Sequence, residues 1–280
     1  MRDDLSIGIV GQGFVGQALK EGLSSSFLVE TYDKFKDSSC SSIEELCART
    51  SVIFVCVPTP MNKDGSCNVG IVKEVVQEID KHSNDHVSVI KSTVPPGTTA
   101  NLNSVCRSSQ VIFNPEFLTE ANYIEDFKNQ SRIIIGGPRP GSTTVKNLYR
   151  KAFPETPILK TGSNTAEMVK YFTNCFLATK VSFSNEIRQI CEKIDVDYDK
   201  VVEYGLYDER LGKTHFSSPG PDLKFGFGGS CFPKDINALI SFAKTLDVEP
   251  AVLESAWKKN LQVRPEKDWE KLLGRAVVDE

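Results

Sequence analysis

One of the eight cysteines stands where a thiol becomes a nucleophile. Cys231 follows a pair of glycines and directly precedes a predicted helix, 233–246, whose Pro233 suits the first position of a helix. A thiol at a helix N-terminus, with Lys234 close in sequence, is expected to have a lowered pKa and to exist partly as thiolate. The sequence therefore predicts a nucleophile at Cys231. The alternative is a buried structural thiol, which is the default interpretation of the other seven cysteines.

Four more polar residues have spacings that suit chemistry. Lys170 and Asn174 are four residues apart in a predicted long helix, 166–194, so they share one helix face. Asp235 stands in the first turn of the helix after Cys231, where it serves as an acid–base group or only stabilises the helix terminus. Glu116 and Glu120 are also four apart, in a segment that is either a functional or an acidic surface loop.

A glycine-rich turn follows the first predicted strand, 5–10. We expect Gly11 to permit a tight turn, Gly13 to let a pyrophosphate approach the backbone, and Gly16 to let helix and strand pack closely. Asp33, at the end of the second predicted strand, suits the ribose hydroxyls of NAD and repels the 2′-phosphate of NADP. Lys34 and Lys36 soften that preference. A turn required only for steric reasons is the alternative. The predicted cofactor contacts here are Gly11, Gln12, Gly13, Phe14, Val15, Gly16, Asp33 and Lys34.

These residues need a scaffold, and the first half of the chain alternates between strand and helix patterns. Apolar, β-branched runs predict strands at 28–32, 52–57, 87–90, 111–113, 133–135 and 158–159, and helical periodicity marks 15–23, 43–49 and 69–81. This alternation predicts an α/β fold, with a Rossmann-type doubly wound parallel sheet in residues 1–162.

The second half lacks strand patterns. The long helix 166–194 is predicted with Asn164 as N-cap and Glu167 as its capping partner, and shorter helices are predicted at 198–204, 233–246 and 251–273. Residues 163–280 are therefore predicted to form an α-helical central domain that also dimerises. The apolar residues of 251–273 are expected to be covered by a second copy of the chain.

Composition excludes several classes of protein. The net charge of −4 argues against a nucleic-acid binder, and no apolar run is long enough for a membrane helix. No C-x-x-C pair occurs and no histidine completes a zinc pattern, so no metal site is predicted. The cysteine pattern and the acidic N-terminus, which does not resemble a signal peptide, predict a cytoplasmic protein.

Several motifs in chain order resemble the UDP-glucose/GDP-mannose dehydrogenase family. They are Val57-Pro58-Thr59-Pro60, Ser92-Thr93-Val94-Pro95-Pro96-Gly97-Thr98, Asn114-Pro115-Glu116-Phe117-Leu118, Lys170-Tyr171-Phe172-Thr173-Asn174 with Asn185-Glu186, and Gly226-Phe227-Gly228-Gly229-Ser230-Cys231-Phe232-Pro233-Lys234-Asp235. Together with the glycine-rich turn they cover nearly the whole chain.

The resemblance implies roles for these residues. The catalytic set would be Cys231, Lys170, Asn174, Asp235, Glu120 and Thr93, with Glu120 assisting thioester hydrolysis and Asp235 ordering a water with Thr93. Further cofactor contacts would be Val57, Pro58, Thr59, Thr93, Glu120 and Lys234. The substrate would contact Glu116, Phe117, Leu118, Thr119, Lys170, Asn174, Phe225, Phe227 and Gly228, together with Arg210 reaching in from a partner subunit.

The resemblance also implies an NAD-dependent, four-electron oxidation of a nucleotide sugar, UDP-glucose to UDP-glucuronate, in a homodimer. GDP-mannose and a UDP-N-acetylhexosamine are alternative substrates, and a non-catalytic binding remnant is the alternative from another class. A two-electron hydroxyacid dehydrogenase would leave Cys231 without a role. Family members continue into a third domain that helps to bind the sugar nucleotide, so the sequence, ending at Glu280, predicts that this domain is absent.

Overall fold

The structure, a computed structural model, describes residues 6–279, so the predicted strand residue Leu5 lies outside it. Two compact units are present. Unit 1 comprises the described residues up to Thr59 together with 69–170, and unit 2 comprises 60–68 together with 171–279. The domain boundary predicted near residue 162 stays a prediction; the contacts divide the chain at residue 170, inside a helix.

Unit 1 contains a seven-stranded sheet in the order β2-β1-β3-β4-β5-β6-β7. All neighbouring strands are parallel except β5 and β6, which are antiparallel. The predicted Rossmann-type sheet is thus confirmed, as a mostly parallel rather than a wholly parallel one. The strands are β1 (Ile7–Val10), β2 (Val29–Tyr32), β3 (Val52–Val55), β4 (His86–Ile90), β5 (Ser109–Phe113), β6 (Ile133–Gly136) and β7 (Ile158–Thr161).

Helices flank this sheet and then replace it, which confirms the predicted helical second part. The helices are α1 (Phe14–Leu23), α2 (Ile43–Arg49), α3 (Gly70–Lys81), α4 (Thr98–Val105), α5 (Tyr123–Lys128), α6 (Gly141–Ala152), α7 (Ser163–Lys193), α8 (Tyr198–Gly205), α9 (Phe232–Thr245) and α10 (Ala251–Val263), with short 3-10 helices at Glu209–Leu211 and Asp268–Lys271. None of the helices within residues 6–279 is long and apolar enough to cross a membrane.

The central strands are buried on both faces because alternate residues enter different cores. Ile7, Phe54 and Val89 belong to one apolar cluster of unit 1, whereas Ile53 and Ile90 belong to another. A strand covered on both faces is a continuous apolar run, which is the pattern that the sequence shows. Unit 2 has its own core, formed by Tyr171, Cys175, Ala178, Val181, Phe227, Ile236, Ala238, Ile240 and Ala256.

The predicted start of the long helix was wrong. Helix α7 begins at Ser163, so Asn164 lies inside its first turn instead of capping it. The buried carboxylate of Glu167 accepts hydrogen bonds from the backbone N–H groups of Gly97 and Thr99, each at 2.8 Å. Glu167 therefore caps α4, a helix that the polar sequence of Thr98–Val105 did not indicate.

The predicted last helix was too long. Helix α10 ends at Val263, and Arg264, the residue before Pro265, leaves the helical conformation. Proline disfavours helical backbone in the residue before it and provides no N–H of its own. Beyond this break Trp269 is buried, with its ring 5.1 Å from that of Trp257. Part of the apolar surface that we expected a second copy to cover therefore packs within unit 2.

Candidate functional site

The glycine-rich turn of unit 1 lies where the strand order reverses. Strand β1 has β2 on one side and β3 on the other, and the crevice at the carboxyl ends of such strands is where dinucleotides bind. Gly11 has φ +94°, and a Cβ there would lie 2.7 Å from the carbonyl oxygen of Cys56. A Cβ on Gly16 would lie 1.9 Å from the carbonyl oxygen of Gly11. Gly16 is thus required by the turn itself, and Gly11 by its own φ and by the close approach of the segment after β3.

Gly13 differs from its two neighbours. It is the N-cap residue of α1, and a Cβ there would meet nothing within 4 Å. Glycine has no side chain of its own with which to cap α1. The exposed turn therefore presents a helix N-terminus with open space beside it, which is the arrangement that a pyrophosphate requires.

The Asp33 carboxylate is fixed by backbone donors at the end of β2. It accepts hydrogen bonds from the N–H groups of Gln12 at 2.6 Å, Phe35 at 2.9 Å and Lys36 at 3.1 Å. Lys36 Nζ donates to the carbonyl of Gln12 at 2.7 Å, whereas Lys34 Nζ lies 5.7 Å from the ring of Phe35. Lys36, rather than the predicted Lys34, reaches the glycine-rich turn.

The predicted contacts after β3 and β4 occupy the same edge of the sheet. Ser92 Oγ donates to the carbonyl of Val57 at 2.6 Å, which ties the segment after β4 to the segment after β3. Thr59 and Thr93 are buried, and Pro58 is exposed. The residues present therefore fit an NAD molecule: a helix N-terminus with open space beside Gly13 for its phosphates, a fixed carboxylate for its ribose, and two threonine hydroxyls further along the edge.

Lys170 forms a buried ion pair in unit 1. Its Nζ donates to the carbonyl of Glu116 at 2.7 Å and to Oε1 of the same residue at 2.9 Å. Burial alone would raise the pKa of Glu116. The ammonium of Lys170 and hydrogen bonds from Lys170 and from the N–H of Leu118 outweigh burial, so that pKa lies below its usual value. Glu116 is therefore an ionised partner that holds the Lys170 ammonium in place.

The remaining residues of this loop have different surroundings. The ring of Phe117 lies 5.5 Å from Lys170 Nζ and 4.2 Å from the Arg132 guanidinium. Thr119 donates to Asp126 from both its N–H at 2.7 Å and its hydroxyl at 2.5 Å. Glu120 is exposed. The structure thus brings Glu116, not Glu120, to Lys170.

Two neighbours of this ion pair were missed by the sequence analysis. Lys91 is buried directly after β4, and its Nζ donates to Asn114 Oδ1 at 3.0 Å. Tyr149 donates its hydroxyl to the same oxygen at 2.6 Å. Lys91 directly precedes one family motif and Asn114 begins another, but nothing local in the sequence distinguishes a buried lysine from an exposed one.

Unit 2 carries the thiol. Cys231 is the N-cap residue of α9, and Pro233 occupies the second position of that helix rather than the predicted first. Lys234 is ion-paired to Asp235 at 2.5 Å. Burial would lower the pKa of Lys234, but the charges of Asp235, Cys231 and Cys67 and the hydrogen bond to Asp235 raise it above its usual value. A lysine that stays protonated beside Cys231 favours the thiolate.

Asp235 is shared between Lys234 and a donor on α7. Its carboxylate is buried and accepts a hydrogen bond from the Asn174 amide at 2.6 Å. The interaction fixes the orientation of Asn174, because the amide nitrogen must point at the carboxylate. Along α7, Lys170 lies one turn before Asn174, so the predicted shared helix face is present.

The glycines before Cys231 are packed against side chains of unit 2. A Cβ on Gly228 would lie 2.4 Å from Arg264 Nη2 and 2.5 Å from Asp268 Oδ1, so the space beside this glycine is filled by protein. Phe227 is buried in the core of unit 2, with its ring 6.0 Å from that of Phe232. Both residues therefore pack within unit 2 here.

A buried polar set holds this segment, and the sequence analysis missed it. Asn260 accepts a hydrogen bond from the N–H of Phe227 at 2.7 Å and donates to its carbonyl at 2.9 Å. Arg264 is paired with Asp222 and with Asp268, each at 2.6 Å. These residues lie in and after α10, far along the chain from the segment they hold, and no local pattern links them to it.

The other predicted residues of unit 2 are exposed. Arg210 is 88% exposed and ion-paired with Asp208, and Phe225 is 43% exposed. No group of three or more His, Cys, Asp or Glu side chains that could hold a metal is found within residues 6–279. All eight cysteines lie in the described part of the chain, and none of them forms a disulfide.

Two family profiles match the chain. Residues 21–153 match the NAD binding domain of the UDP-glucose/GDP-mannose dehydrogenase family, and residues 164–262 match its central domain. A UDP-glucose 6-dehydrogenase of Bacillus subtilis is 40% identical over 230 residues, which are 79% of this chain and 50% of that protein. The chain spans about half the length of the curated relatives it matches.

Solved structures agree with the sequence relatives. A UDP-glucose dehydrogenase from Pyrobaculum islandicum superposes with a TM-score of 0.84 at 30% identity, covering 97% of this chain and 72% of that one. A GDP-mannose dehydrogenase from Pseudomonas aeruginosa superposes with a TM-score of 0.65 at 28% identity, covering 95% of this chain and 70% of that one.

Proposed function

The chain belongs to the UDP-glucose/GDP-mannose dehydrogenase family, and from that premise we propose that it oxidises UDP-glucose to UDP-glucuronate in two NAD-dependent steps. The observation that carries the proposal is the placement of Cys231 at the N-terminus of α9 beside a protonated Lys234. A two-electron alcohol dehydrogenase has no use for such a thiol.

Cys231 is the proposed nucleophile of the second oxidation. Its thiolate adds to the carbon of the aldehyde formed in the first oxidation, which creates a C–S bond and an oxyanion that takes up a proton. Loss of hydride from the same carbon, together with loss of the hydroxyl proton to water, gives a thioester. Water then attacks this thioester, the C–S bond breaks, and the thiolate is regenerated with the carboxylate product. NAD, when bound at the glycine-rich turn, supplies the hydride acceptor.

Lys170 and Asn174 are the proposed donors to the substrate oxygen. Negative charge develops on that oxygen in both oxidations, and donors already fixed in place stabilise it without further reorganisation. Glu116 fixes the ammonium of Lys170, and Asp235 fixes the amide of Asn174. In this proposal Asp235, with Thr93, orders the attacking water.

The acids of the 116–120 loop have separate proposed roles. Glu116 has its carboxylate held by Lys170 and by the N–H of Leu118, so it positions Lys170 and borders the sugar. Glu120 is exposed, and we assign it to proton transfer during thioester hydrolysis. Phe117, Leu118 and Thr119 are the proposed backbone contacts of the substrate.

NADH formation with a panel of nucleotide sugars tests this function. Wild type is expected to reduce NAD with UDP-glucose, and to do so far more slowly with NADP, because of Asp33. Cys231→Ser should abolish sustained turnover, whereas Cys106→Ser, a half-buried thiol of unit 1, should not. Turnover by Cys231→Ser at the wild-type rate would contradict the thiol mechanism. Faster NADH formation with GDP-mannose or a UDP-N-acetylhexosamine would replace UDP-glucose as substrate.

We also propose that the protein forms a homodimer and that it is located in the cytoplasm, a reducing compartment. Helix α7 presents exposed Phe176, Phe183 and Ile190 at intervals of seven residues, which gives one apolar stripe along the helix. A second copy of the same stripe would cover it symmetrically. Light scattering at micromolar concentration should report a dimer that Phe183→Glu dissociates and that Leu28→Glu, at an exposed position of unit 1, does not. A monomeric wild type would contradict this part.

A further inference from the structure

A second buried cation stands beside the Lys170–Glu116 pair, and the mechanism above makes no use of it. Lys91 is 3% exposed, and its Nζ lies 3.0 Å from Asn114 Oδ1 and 5.9 Å from the ring of Phe127. Lysine is rarely buried to this extent unless a partner compensates for its charge. The neutral Asn114 compensates only in part, so this position calls for an explanation.

Asn114 links Lys91 to the loop that carries Glu116. The amide nitrogen of Asn114 donates to the carbonyl of Ile134 at 2.7 Å, and its oxygen accepts from both Lys91 and Tyr149. The side chain therefore joins the end of β5 to β6, where the two strands pair antiparallel at Phe113 and Gly136. Glu116 follows two residues later, so the anchor at Asn114 determines where its carboxylate can lie.

Lys91 also acts through its charge. Burial lowers its pKa to about 8; the nearby Cys56 and Glu116 raise that pKa, and Lys170 lowers it. Conversely, Lys91 is one of the groups that lower the pKa of Glu116. While Lys91 is protonated, the set of Lys91, Glu116 and Lys170 carries one net positive charge. When Lys91 loses its proton the set becomes neutral.

We propose that Lys91 is a positioning residue that anchors the Glu116 loop through Asn114 and keeps the buried Lys91–Glu116–Lys170 set cationic. A cationic set suits a site where negative charge develops on an oxygen at Lys170, because the field of an additional buried charge is screened little. This proposal rests on the proposed function, in which Lys170 donates to that oxygen. The proposal adds the charge of Lys91 to that of Lys170 and predicts that the effect of Lys91 on kcat is lost when Lys91 loses its proton.

The dependence of kcat on pH, measured for wild type and for Lys91→Met, tests whether the charge of Lys91 contributes to catalysis. Methionine matches the length of lysine without its charge, so kcat at pH 7 should fall roughly ten-fold while the KM for NAD changes little. Wild-type kcat should decline as pH rises through about 8, where Lys91 loses its proton. Lys91→Met should lack that decline, and Lys91→Arg should recover part of the rate and keep it above pH 9. Lys73→Met, an exposed lysine on α3, is the matched control.

Urea unfolding against pH tests the buried charge without any activity. The pKa of Lys91 is lower in the folded than in the unfolded chain, so between about 8 and 10.5 the unfolded chain binds more protons. Stability should therefore rise with pH across that window in wild type and in Lys73→Met, relative to Lys91→Met. The difference between variants removes the contributions of other lysines, cysteines and tyrosines.

The outcomes separate this proposal from the function on which it rests. An inactive wild type whose stability still rises relative to Lys91→Met would refute the proposed function and support the buried charge. Equal pH dependence of unfolding in all variants would overturn the buried charge. A loss of kcat in Lys91→Met that is the same at every pH and is not recovered by arginine would reduce Lys91 to a packing residue and overturn the proposal.

Discussion

Two glycine-rich segments precede helices in this chain, and they are held in place by different means. In the turn that leads into α1, a Cβ on Gly11 would collide with the backbone of Cys56, the residue after β3, and a Cβ on Gly16 with the backbone of Gly11. In the segment before α9, Cβ atoms on Gly226 and Gly228 would collide with the side chains of Asn260 and Arg264. The first segment is shaped by backbone atoms, those of the turn itself and those of the residues after β3, and the second by side chains more than thirty residues further along the chain.

The difference explains which functional assignments can be made from sequence. The turn before α1 has Gly11, Gly13 and Gly16 within six residues, so each glycine could be given a role from the local sequence. In the segment before α9, the local sequence shows the glycines and aromatic residues but not the distant side chains that pack against them. Gly228 and Phe227 were assigned to the substrate by the family resemblance, and the sequence did not show the protein side chains that pack against them.

Gly16→Ala should have the largest effect on stability. The added Cβ would lie 1.9 Å from the carbonyl oxygen of Gly11, and neither backbone atom can move without deforming the turn. We expect the free energy of unfolding to fall by about 3 kcal/mol or more. Gly13→Ala is the control, because its Cβ meets nothing within 4 Å at an ordinary φ of −72°. It should unfold as wild type does yet bind NAD more weakly, as calorimetry would measure; equal stability of the two variants would contradict the account.

Asn260→Ala should come next. The substitution leaves the N–H and the carbonyl of the buried Phe227 without their partner, at a cost of about 2–3 kcal/mol in urea unfolding. Because these bonds hold the segment before Cys231, the rate of thiol alkylation at Cys231 should change as well. Asn101→Ala, at an exposed position of α4, should change neither quantity. If the variant is as stable as wild type and Cys231 is alkylated at the same rate, then the segment before Cys231 keeps its conformation without Asn260.

Gly228→Ala should be milder than Gly16→Ala, although both predicted contacts are severe. The atoms near its Cβ belong to the side chains of Arg264 and Asp268, which can shift together. We expect a loss of about 1–2 kcal/mol in unfolding free energy. Gly205→Ala, at the end of α8 with nothing within 4 Å of its Cβ, is the control. A loss at Gly228 as large as at Gly16 would erase the distinction between the two segments.

Lys36→Met should have the smallest effect. It removes the hydrogen bond from Nζ to the carbonyl of Gln12 at a partly exposed site, which should weaken NAD binding by a few-fold, about 1 kcal/mol or less. Lys34→Met, whose ammonium lies beside Phe35 instead, should bind NAD as wild type does. The reverse ranking, in titrations that measure Kd, would restore Lys34 as the contact predicted from sequence.

The fold was largely predictable from sequence, and the exceptions have physical causes. Strands buried on both faces, such as Val52–Val55, appear as continuous apolar runs. The helix Thr98–Val105 is polar and short, and it was missed because its N-terminus is satisfied by Glu167, nearly seventy residues later. The end of the last helix was misjudged because apolar periodicity was followed through Pro265, which ends it.

The candidate site was predictable where chemistry and motif coincide. Cys231 at a helix start and Asp33 after a strand need only local sequence. The pairing of Lys170 with Glu116 and of Asn174 with Asp235 depends on contacts across more than fifty residues. The burial of Lys91 was the hardest feature to predict. It results from the strands and helices packed around this residue, and the residues next to Lys91 in sequence give no indication of it.

The amount of NADH formed per molecule of UDP-glucose, with the sugar limiting and NAD in excess, tests the central claim most directly. A four-electron oxidation through a thioester on Cys231 predicts two NADH per sugar. A single NADH per sugar at completion, with wild type and Cys231→Ser giving the same yield and rate, would contradict it.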